Sequence, residues 1–249
     1  MEMLNQFRAE LHVHTVVSPC AEVEMIPPLI VQQALASNID LIAITDHNTT
    51  ANIESVMKAA KGSGLTVLPG MELQTIEEVH SLCIFPDLDH AREFQKIVDK
   101  ALPPLQNSPE HLGEQFIVDE TGEFICREER LLIISAEISL TDAWEIVNSM
   151  GGLFIPAHVN RKAFGLLENL GFVPNDIPLN ALEISRHLNS HLAVETFPQL
   201  YGYTLIKGGD VHRLDEFLGA NVFTLEKRSI NELKLAFSKT DGRNVTIDD

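Results

Sequence analysis

The chain has 249 residues, of which 45% are hydrophobic and 22% are charged, a composition that fits a globular protein with a sizeable core and excludes long disordered segments. Its 18 basic and 36 acidic residues give a net charge of −18, which argues against electrostatic binding of nucleic acid phosphates over a wide surface. We therefore do not expect duplex nucleic acid as a partner. Divalent ions held by some of these carboxylates could still attract an anionic substrate locally, so a small phosphorylated molecule fits this charge better.

The first hundred residues alternate predicted strands with predicted helices. Short apolar runs predict strands at residues 7–11, 41–44, 66–68 and 82–85. Apolar residues at helical spacing predict three helices, the first opened by Pro27-Pro28, the second capped by Asn52, and the third spanning Asp89 to Leu102. This β-α-β order favours parallel strands.

The alternation breaks after Pro103-Pro104. Residues 103–140 are polar and rich in turns, and two short apolar runs among them, 116–118 and 123–125, predict a hairpin. We expect this segment to form an insertion or a flap within the domain.

Strands and helices alternate again from Ser139 onwards. This serine is expected to cap a helix that ends at Gly151-Gly152, and a last helix is expected over residues 229–237. Further strands are predicted at 153–155, 181–184 and 203–206. Since no repeat, low-complexity segment or clean linker divides the chain, we expect one α/β domain over residues 1–249.

Side chains that bind metal ions lie close to most of these strands. They are His12, His14, Asp46, His47, Glu72, His80, His158, Asp210 and His212. Because residues i and i+2 of a strand project to the same face, His12 and His14 can reach one ion together, and Asp210 and His212 repeat that spacing. Most of the set follows its apolar run, whereas His80 precedes its run and is expected to enter from the opposite strand end. Imidazoles and carboxylates gathered at strand ends predict a barrel-type site for zinc, manganese or iron.

The cysteines and the apolar runs bear on the location of the protein. Cys20, Cys83 and Cys126 form an odd set without a secretory framework, and the first residues lack the pattern of a signal peptide. No uninterrupted apolar segment approaches the ~20 residues that span a bilayer. We therefore expect a cytoplasmic protein with no membrane partner, and its oligomeric state stays open.

Residues 7–213 resemble the polymerase and histidinol phosphatase (PHP) family. The resemblance rests on an ordered set of motifs: His12-x-His14, Thr45-Asp46-His47, Gly70-Met71-Glu72, His80, Pro156-Ala157-His158 and Gly209-Asp210-x-His212. It implies a distorted seven-stranded β/α barrel of TIM-like type. It also implies a trinuclear metal centre and the hydrolysis of phosphate esters.

The resemblance further implies which residues hold each of two or three divalent ions. The first ion would be surrounded by His12, His14, Glu72 and Asp210. Glu72 would bridge to a second ion held by His80 and His158, and His47 with His212 would hold the third. Asp46 would orient a ligand histidine rather than bind metal.

The third ion lacks a clear carboxylate or imidazole ligand after the first histidine pair. Cys20 is the nearest positional match, and as a thiolate it would favour zinc. Glu22, which we prefer, could instead reach in and would suit manganese or iron.

The implied chemistry is attack on phosphorus by a metal-activated water, with the metal ligands His12, His14, Glu72 and Asp210 acting through the bound ions. Cationic side chains beside the ions would then bind the phosphate. Arg161, Arg186 and Arg213 each follow a predicted strand end, and Arg161 is the first choice. His187 could protonate the leaving group, with a plain surface position as its alternative.

Two other functions stay open on the sequence alone. Paired strand histidines with a terminal aspartate also serve metal-dependent amide or lactone hydrolysis. The imperfect third site is compatible with a metal-binding regulatory module that has lost catalysis. The alcohol released from the phosphate, whether histidinol, a nucleoside, a sugar or a nucleotide end, is not identified by any motif.

Overall fold

A curled seven-stranded sheet lies at the centre of the computed structural model, which describes residues 3–249. The strands of the molecule are β1 (Asn5–Val13), β2 (Leu41–Ile44), β3 (Thr66–Gln74), β4 (His80–Ile84), β5 (Phe116–Val118), β6 (Phe124–Arg127), β7 (Leu153–Pro156), β8 (Leu182–Ser185), β9 (Leu205–Gly208), β10 (Asn221–Leu225) and β11 (Asn244–Ile247). The helices are α1 (Pro27–Ala36), α2 (Ile53–Ala59), α3 (Leu88–Ala101), α4 (Pro109–Leu112), α5 (Leu140–Ser149), α6 (Leu166–Leu170), α7 (Ala193–Thr196) and α8 (Ile230–Phe237).

The strand order in the large sheet is β11-β10-β1-β2-β3-β4-β7. The predicted parallel arrangement is confirmed for β1, β2 and β3. The strand β4 runs antiparallel to β3 and to β7, because the connection through residues 75–79 is too short for a parallel crossover, and this agrees with the position of His80 before its apolar run. At the other edge, β10 and β11 add antiparallel strands that no motif in the sequence predicts.

The strands β8 and β9 form a separate parallel pair that completes the barrel-like shape. This pair lies beside the large sheet: β8 contacts its edge strand β7, and β9 contacts β1 and β11. The segment after β9 also joins the end of β1, where His14 donates its backbone N–H to Val211 and Val211 donates to His12. The expected α/β class with a barrel-like sheet is therefore confirmed, with its strands divided between two sheets.

Apolar side chains fill both faces of the sheet. Successive residues of β2 alternate between the two faces: Ile42 and Ile44 join one core cluster, and Leu41 and Ala43 join the other. Such two-sided burial explains why this strand reads as a continuous apolar run. Within residues 3–249, no helix is both long and apolar enough to cross a lipid bilayer.

Of the two helix caps predicted from the sequence, Ser139 and Asn52, one is present. Ser139 accepts the backbone N–H of Asp142 and caps α5 as predicted. Asn52 precedes α2 but makes no capping bond with its side chain. It donates instead to the Phe116 carbonyl and accepts from the Val118 backbone N–H. This contact ties α2 to the predicted hairpin, which is present as β5–β6.

Candidate metal centre

Glu72 lies at the centre of a buried cluster of imidazoles. Its carboxylate oxygens are 2.9–3.4 Å from ring nitrogens of His12, His14, His47, His80 and His158. Glu72 stands inside β3 rather than after it, because that strand continues to Gln74. The antiparallel β4 pairs His80 with Gln74, so His80 enters from the opposite strand end.

Glu183 on β8 fixes the orientation of His12. Its Oε1 lies 2.9 Å from His12 Nδ1 and also accepts the backbone N–H of His158 at 3.0 Å. Since a carboxylate can only accept, Nδ1 of His12 carries the proton. Nε2 of His12 faces the cluster and is therefore the nitrogen available to a metal ion.

Asp46 orients His14 through Ser18. The Ser18 hydroxyl donates to Asp46 Oδ1 at 2.7 Å, and Ser18 Oγ lies 3.0 Å from His14 Nδ1. With its proton on Asp46, the serine oxygen accepts from Nδ1 and leaves Nε2 of His14 free for the cluster. Among residues 3–249, Asp46 belongs to no group of converging ligand atoms, so it contacts the cluster only indirectly.

Asp210 and His212 return to the end of β1 from the segment after β9. Asp210 Oδ1 is 3.3 Å from Nε2 of both His12 and His14. The His212 ring stacks on His14 with centroids 4.0 Å apart. The φ of Asp210 is +46°, an uncommon value for a residue with a side chain, and it occurs where the backbone must turn this carboxylate towards β1.

Potential ligand atoms converge at three places, each with its atoms within 4.8 Å of one another. The groups are His12-His14-Glu72-Asp210, His47-Glu72-His80 and His14-His47-His212. The first equals the set that the resemblance implies for one ion. The second has His47 where His158 was expected, although His158 Nε2 remains 3.1 Å from Glu72. The third adds His14 to the expected pair.

The cluster fits metal ions on its own geometry. His12 Nε2, His14 Nε2 and Glu72 Oε2 are buried without a hydrogen-bond partner in the described part of the chain. Buried polar atoms of this kind are costly unless a ligand satisfies them. Imidazole nitrogens and carboxylate oxygens are the donors that zinc, manganese and iron accept.

The charges in the cluster shift the pKa values of its members in both directions. Burial opposes ionisation of Glu72, but the imidazoles around it hold its pKa well below its usual range. Burial, together with His212 and His47, holds the pKa of His14 well below its ordinary value. His12 differs, because Glu183, Glu72 and Asp210 outweigh its burial and raise its pKa. A divalent cation would replace that proton as the counter-charge of the carboxylates.

The structure separates the two candidates for the third position. Glu22 does not join the cluster: its side chain is 47% exposed, and its Oε1 pairs with Arg213 Nε at 3.0 Å. Cys20 is an exposed residue, but its thiol lies against the imidazoles of His47 and His212. Partial burial raises the pKa of this thiol, and the two imidazoles outweigh that effect and lower it to about 6.

A cleft of about 580 Å³ opens above the cluster. Its wall includes the predicted phosphate-binding residues Arg161, Arg186 and Arg213, together with His187. Arg161 Nη1 reaches Asp210 Oδ2 at 2.5 Å, and Arg186 donates to the Gly209 carbonyl at 3.1 Å. From residues 103–140 only Ile133 lines this cleft, and a role for that segment as a flap stays a prediction.

Sequence reasoning misses two buried glutamates beneath the cluster, Glu10 and Glu183. Glu183 is the one charged residue of the apolar strand β8, and Glu10 lies between Ala9 and Leu11 in β1. A charged residue between apolar neighbours is the signal that could have revealed them. A Cβ at position 208 would lie 2.2 Å from Glu183 Cδ, and one at position 209 would lie 2.7 Å from Glu10 Oε2. The glycines Gly208 and Gly209 therefore leave the room that these carboxylates occupy.

Replacing Glu183 with glutamine is expected to lower metal affinity about 10- to 100-fold, the usual effect of losing the carboxylate behind a ligand histidine. The change keeps the shape but removes the charge that stabilises the Nδ1 proton of His12. Titration calorimetry with Zn²⁺ or Mn²⁺ measures it. The control is Glu10→Gln, since Glu10 is equally buried but bonds only to backbone N–H groups of Gly209 and Gly219. Equal affinity losses in both variants would contradict the prediction.

Comparison with known proteins places this geometry in context. The PHP domain model matches residues 10–146. The chain is 35% identical over 77 residues to the 5'-3' exoribonuclease Rnm of Salmonella typhimurium, a match that covers 30% of this chain and 25% of that protein. The lesion-specific endonuclease PfuEndoQ from Pyrococcus furiosus has a similar fold, with a TM-score of 0.75 and 18% identity over 97% of this chain and 58% of that one.

A second structure of endonuclease Q contains a 27-mer duplex substrate with an abasic lesion at the active site. It matches with a TM-score of 0.74 and 18% identity, over 96% of this chain and 58% of that chain. The exclusion of duplex nucleic acid in favour of a small phosphorylated partner was therefore wrong. The net charge sums the whole surface, whereas a substrate meets the cleft, whose three arginines are each paired with a carboxylate. Divalent ions held by the cluster would make this part of the surface positive.

Proposed function

Because this chain belongs to the PHP domain family of metal-dependent hydrolases, we propose that it hydrolyses phosphodiester bonds in nucleic acid strands that enter the cleft. The observation that carries the proposal is the position of the buried cluster directly below a cleft with three arginines in its wall. The names of the nuclease relatives support a nucleic acid substrate. The chain spans only part of each of them, so the substrate class is inferred for this chain and not transferred from them.

Two or three divalent ions would be held by the groups of converging atoms. His12, His14, Glu72 and Asp210 would hold the first ion. Glu72 would bridge to a second ion held by His80 with His47 or His158. His47, His212 and His14 surround the third position, and Cys20 is the side chain beside it. A sulfur donor there would favour zinc over manganese or iron at that position.

When bound, closely spaced divalent ions supply Lewis acidity to phosphate oxygens and acidify the water that attacks phosphorus. The protein residues provide the rest. Glu183 and Ser18 keep the ring tautomers of His12 and His14 that leave Nε2 free. Phosphate oxygens would be bound by the guanidinium groups of Arg161, Arg186 and Arg213, each of which is held by a carboxylate. His187 lines the same wall of the cleft. These contacts would orient the strand so that one phosphate lies over the cluster.

A substrate panel tests the proposal. The purified protein, loaded with Mn²⁺ or Zn²⁺ and analysed for bound metal, would be incubated with single-stranded RNA and DNA, a duplex with an abasic residue, phosphomonoesters and a cyclic amide. We expect cleavage of at least one oligonucleotide, dependent on metal, with Arg161→Ala raising KM about tenfold or more, because a charge-assisted phosphate contact is lost.

The other outcomes of the panel are equally informative. Amide turnover without cleavage of any oligonucleotide would replace the proposal with metal-dependent amide hydrolysis. Stoichiometric metal binding without turnover of any substrate would indicate a metal-binding module that does not catalyse.

A further inference from the structure

Phe164 places an aromatic ring in the wall of the cleft. The ring stacks on the His80 imidazole with centroids 4.4 Å apart and an interplanar angle of 3°. It is 37% exposed and lines the cleft together with Arg161. One face of the ring is thus covered by a residue of the cluster, and the opposite face is the one that a ligand in the cleft can reach.

The backbone holds this ring firmly in place. Phe164 has a φ of +58°, which is rare and unfavourable for a bulky residue. Its carbonyl accepts the backbone N–H of His80 at 3.0 Å. The preceding part of the loop is fixed by a two-way contact in which Asn160 donates to Ser185 Oγ and the Ser185 backbone N–H donates to Asn160. A strained conformation that persists at the edge of a site is a mark of function.

Core packing does not account for this position. Most large apolar side chains gain stability by leaving water, and Leu166 and Leu167 of the same segment are buried. Phe164 instead remains exposed in a cleft where most of the lining residues are polar or charged. An aromatic ring with one free face in such a cleft suits a planar, apolar group of the ligand.

We propose that the free face of Phe164 is a stacking platform for a nucleobase next to the phosphate bound by Arg161, an inference that rests on the function proposed above. Arg161 lies only three residues earlier in the same loop and lines the same cleft. One rigid loop therefore presents a cation for a phosphate and a ring for a base, the two features that adjoin in every nucleotide. Aromatic stacking is tolerant of base identity, so the platform would favour unpaired nucleotides without reading their sequence.

Base removal combined with substitution of the ring tests the platform. The probes are a short single-stranded oligonucleotide with a fluorophore at one end and a series in which an abasic residue replaces each nucleotide in turn. Dissociation constants for the metal-loaded protein are measured by fluorescence anisotropy in the cold, before turnover is measurable. The proteins are the wild type, Phe164→Leu, Phe164→Trp and Phe172→Leu. Phe172 is a matched control because it is an exposed phenylalanine outside the wall of the cleft.

We expect Phe164→Leu to weaken binding of the intact oligonucleotide about tenfold, and Phe164→Trp and Phe172→Leu to bind as the wild type does. One abasic position should weaken wild-type binding to the same degree, and on that probe Phe164→Leu should cause no further loss. Metal content should be equal in all four proteins.

The platform is overturned if Phe164→Leu weakens every abasic probe as much as the intact one, if it has no effect, or if its metal content falls with its affinity. The last result would mean that the ring only supports His80. Base-dependent binding without cleavage would support the platform and reject hydrolysis. Cleavage without base dependence would do the reverse.

Discussion

Replacing Glu72 with glutamine is expected to lower the hydrolytic rate about a thousandfold or more, which corresponds to about 4 kcal/mol of transition-state stabilisation. Glutamine has nearly the same volume, so the fold should persist. The change removes the one negative charge that contacts five imidazoles. Two of the three groups of converging atoms lose a carboxylate, and of these only the first retains another, that of Asp210. Bound metal per protein, measured by elemental analysis, should fall together with kcat.

Glu232→Gln is the matched control for this variant. Glu232 is also a buried glutamate, but its partner is Arg243, and neither residue belongs to the groups of converging atoms. Its replacement should alter the free energy of unfolding without changing metal content. Retention of full metal content and of kcat within about tenfold by Glu72→Gln would contradict the central role of this carboxylate.

Removing the metal ions with a chelator is expected to lower the melting temperature by about 8–16 °C. A ligand present at a thousand times its Kd stabilises the folded state by about 4 kcal/mol, and each kcal/mol shifts the melting temperature of a chain of this size by about 2–4 °C. The physical cause is that the cation satisfies the buried Nε2 atoms of His12 and His14 and offsets the charge of Glu72. Thermal melting followed by circular dichroism, with chelator or with excess metal, measures the shift.

The same shift should shrink as the pH falls. Protons compete with the cation for imidazole nitrogens and carboxylate oxygens, so metal affinity decreases in acid and its contribution to stability decreases with it. The His14→Ala variant lacks a donor of two groups and should melt at nearly the same temperature with chelator or with metal. A wild-type melting temperature that is indifferent to the chelator would show that the cluster is stable without cations.

The convergence of these histidines and acids follows from the sequence because their positions obey short-range rules. His12 and His14 share a strand face through the two-residue period, and their strand is evident as an apolar run. The position of His80 before its run correctly anticipates that β4 runs opposite to β3. These features depend on local periodicity and on the length of the connection between β3 and β4, both of which are evident in the sequence.

Features that depend on distant contacts are harder to predict. Glu183 accepts a hydrogen bond from His12, 171 residues away in the sequence, and no local pattern predicts that contact. The preference for Glu22 over Cys20 failed to anticipate Arg213, which draws the carboxylate away from the cluster. The strands β10 and β11 are placed only by their pairing in the sheet, β10 with β1 and β11 with β10. The exclusion of duplex nucleic acid was wrong for a similar reason, since a total charge carries no information about its location.

The junction between the end of β1 and the segment after β9 has a consequence for biosynthesis. Val13 pairs with Val211, so the ends of a loop of about two hundred residues must meet before Asp210 can approach His12 and His14. During translation the first histidines leave the ribosome long before their aspartate exists. An emerging chain therefore cannot form the complete first group of donors until the segment after β9 has left the ribosome, and full loading of that group is expected only after this point.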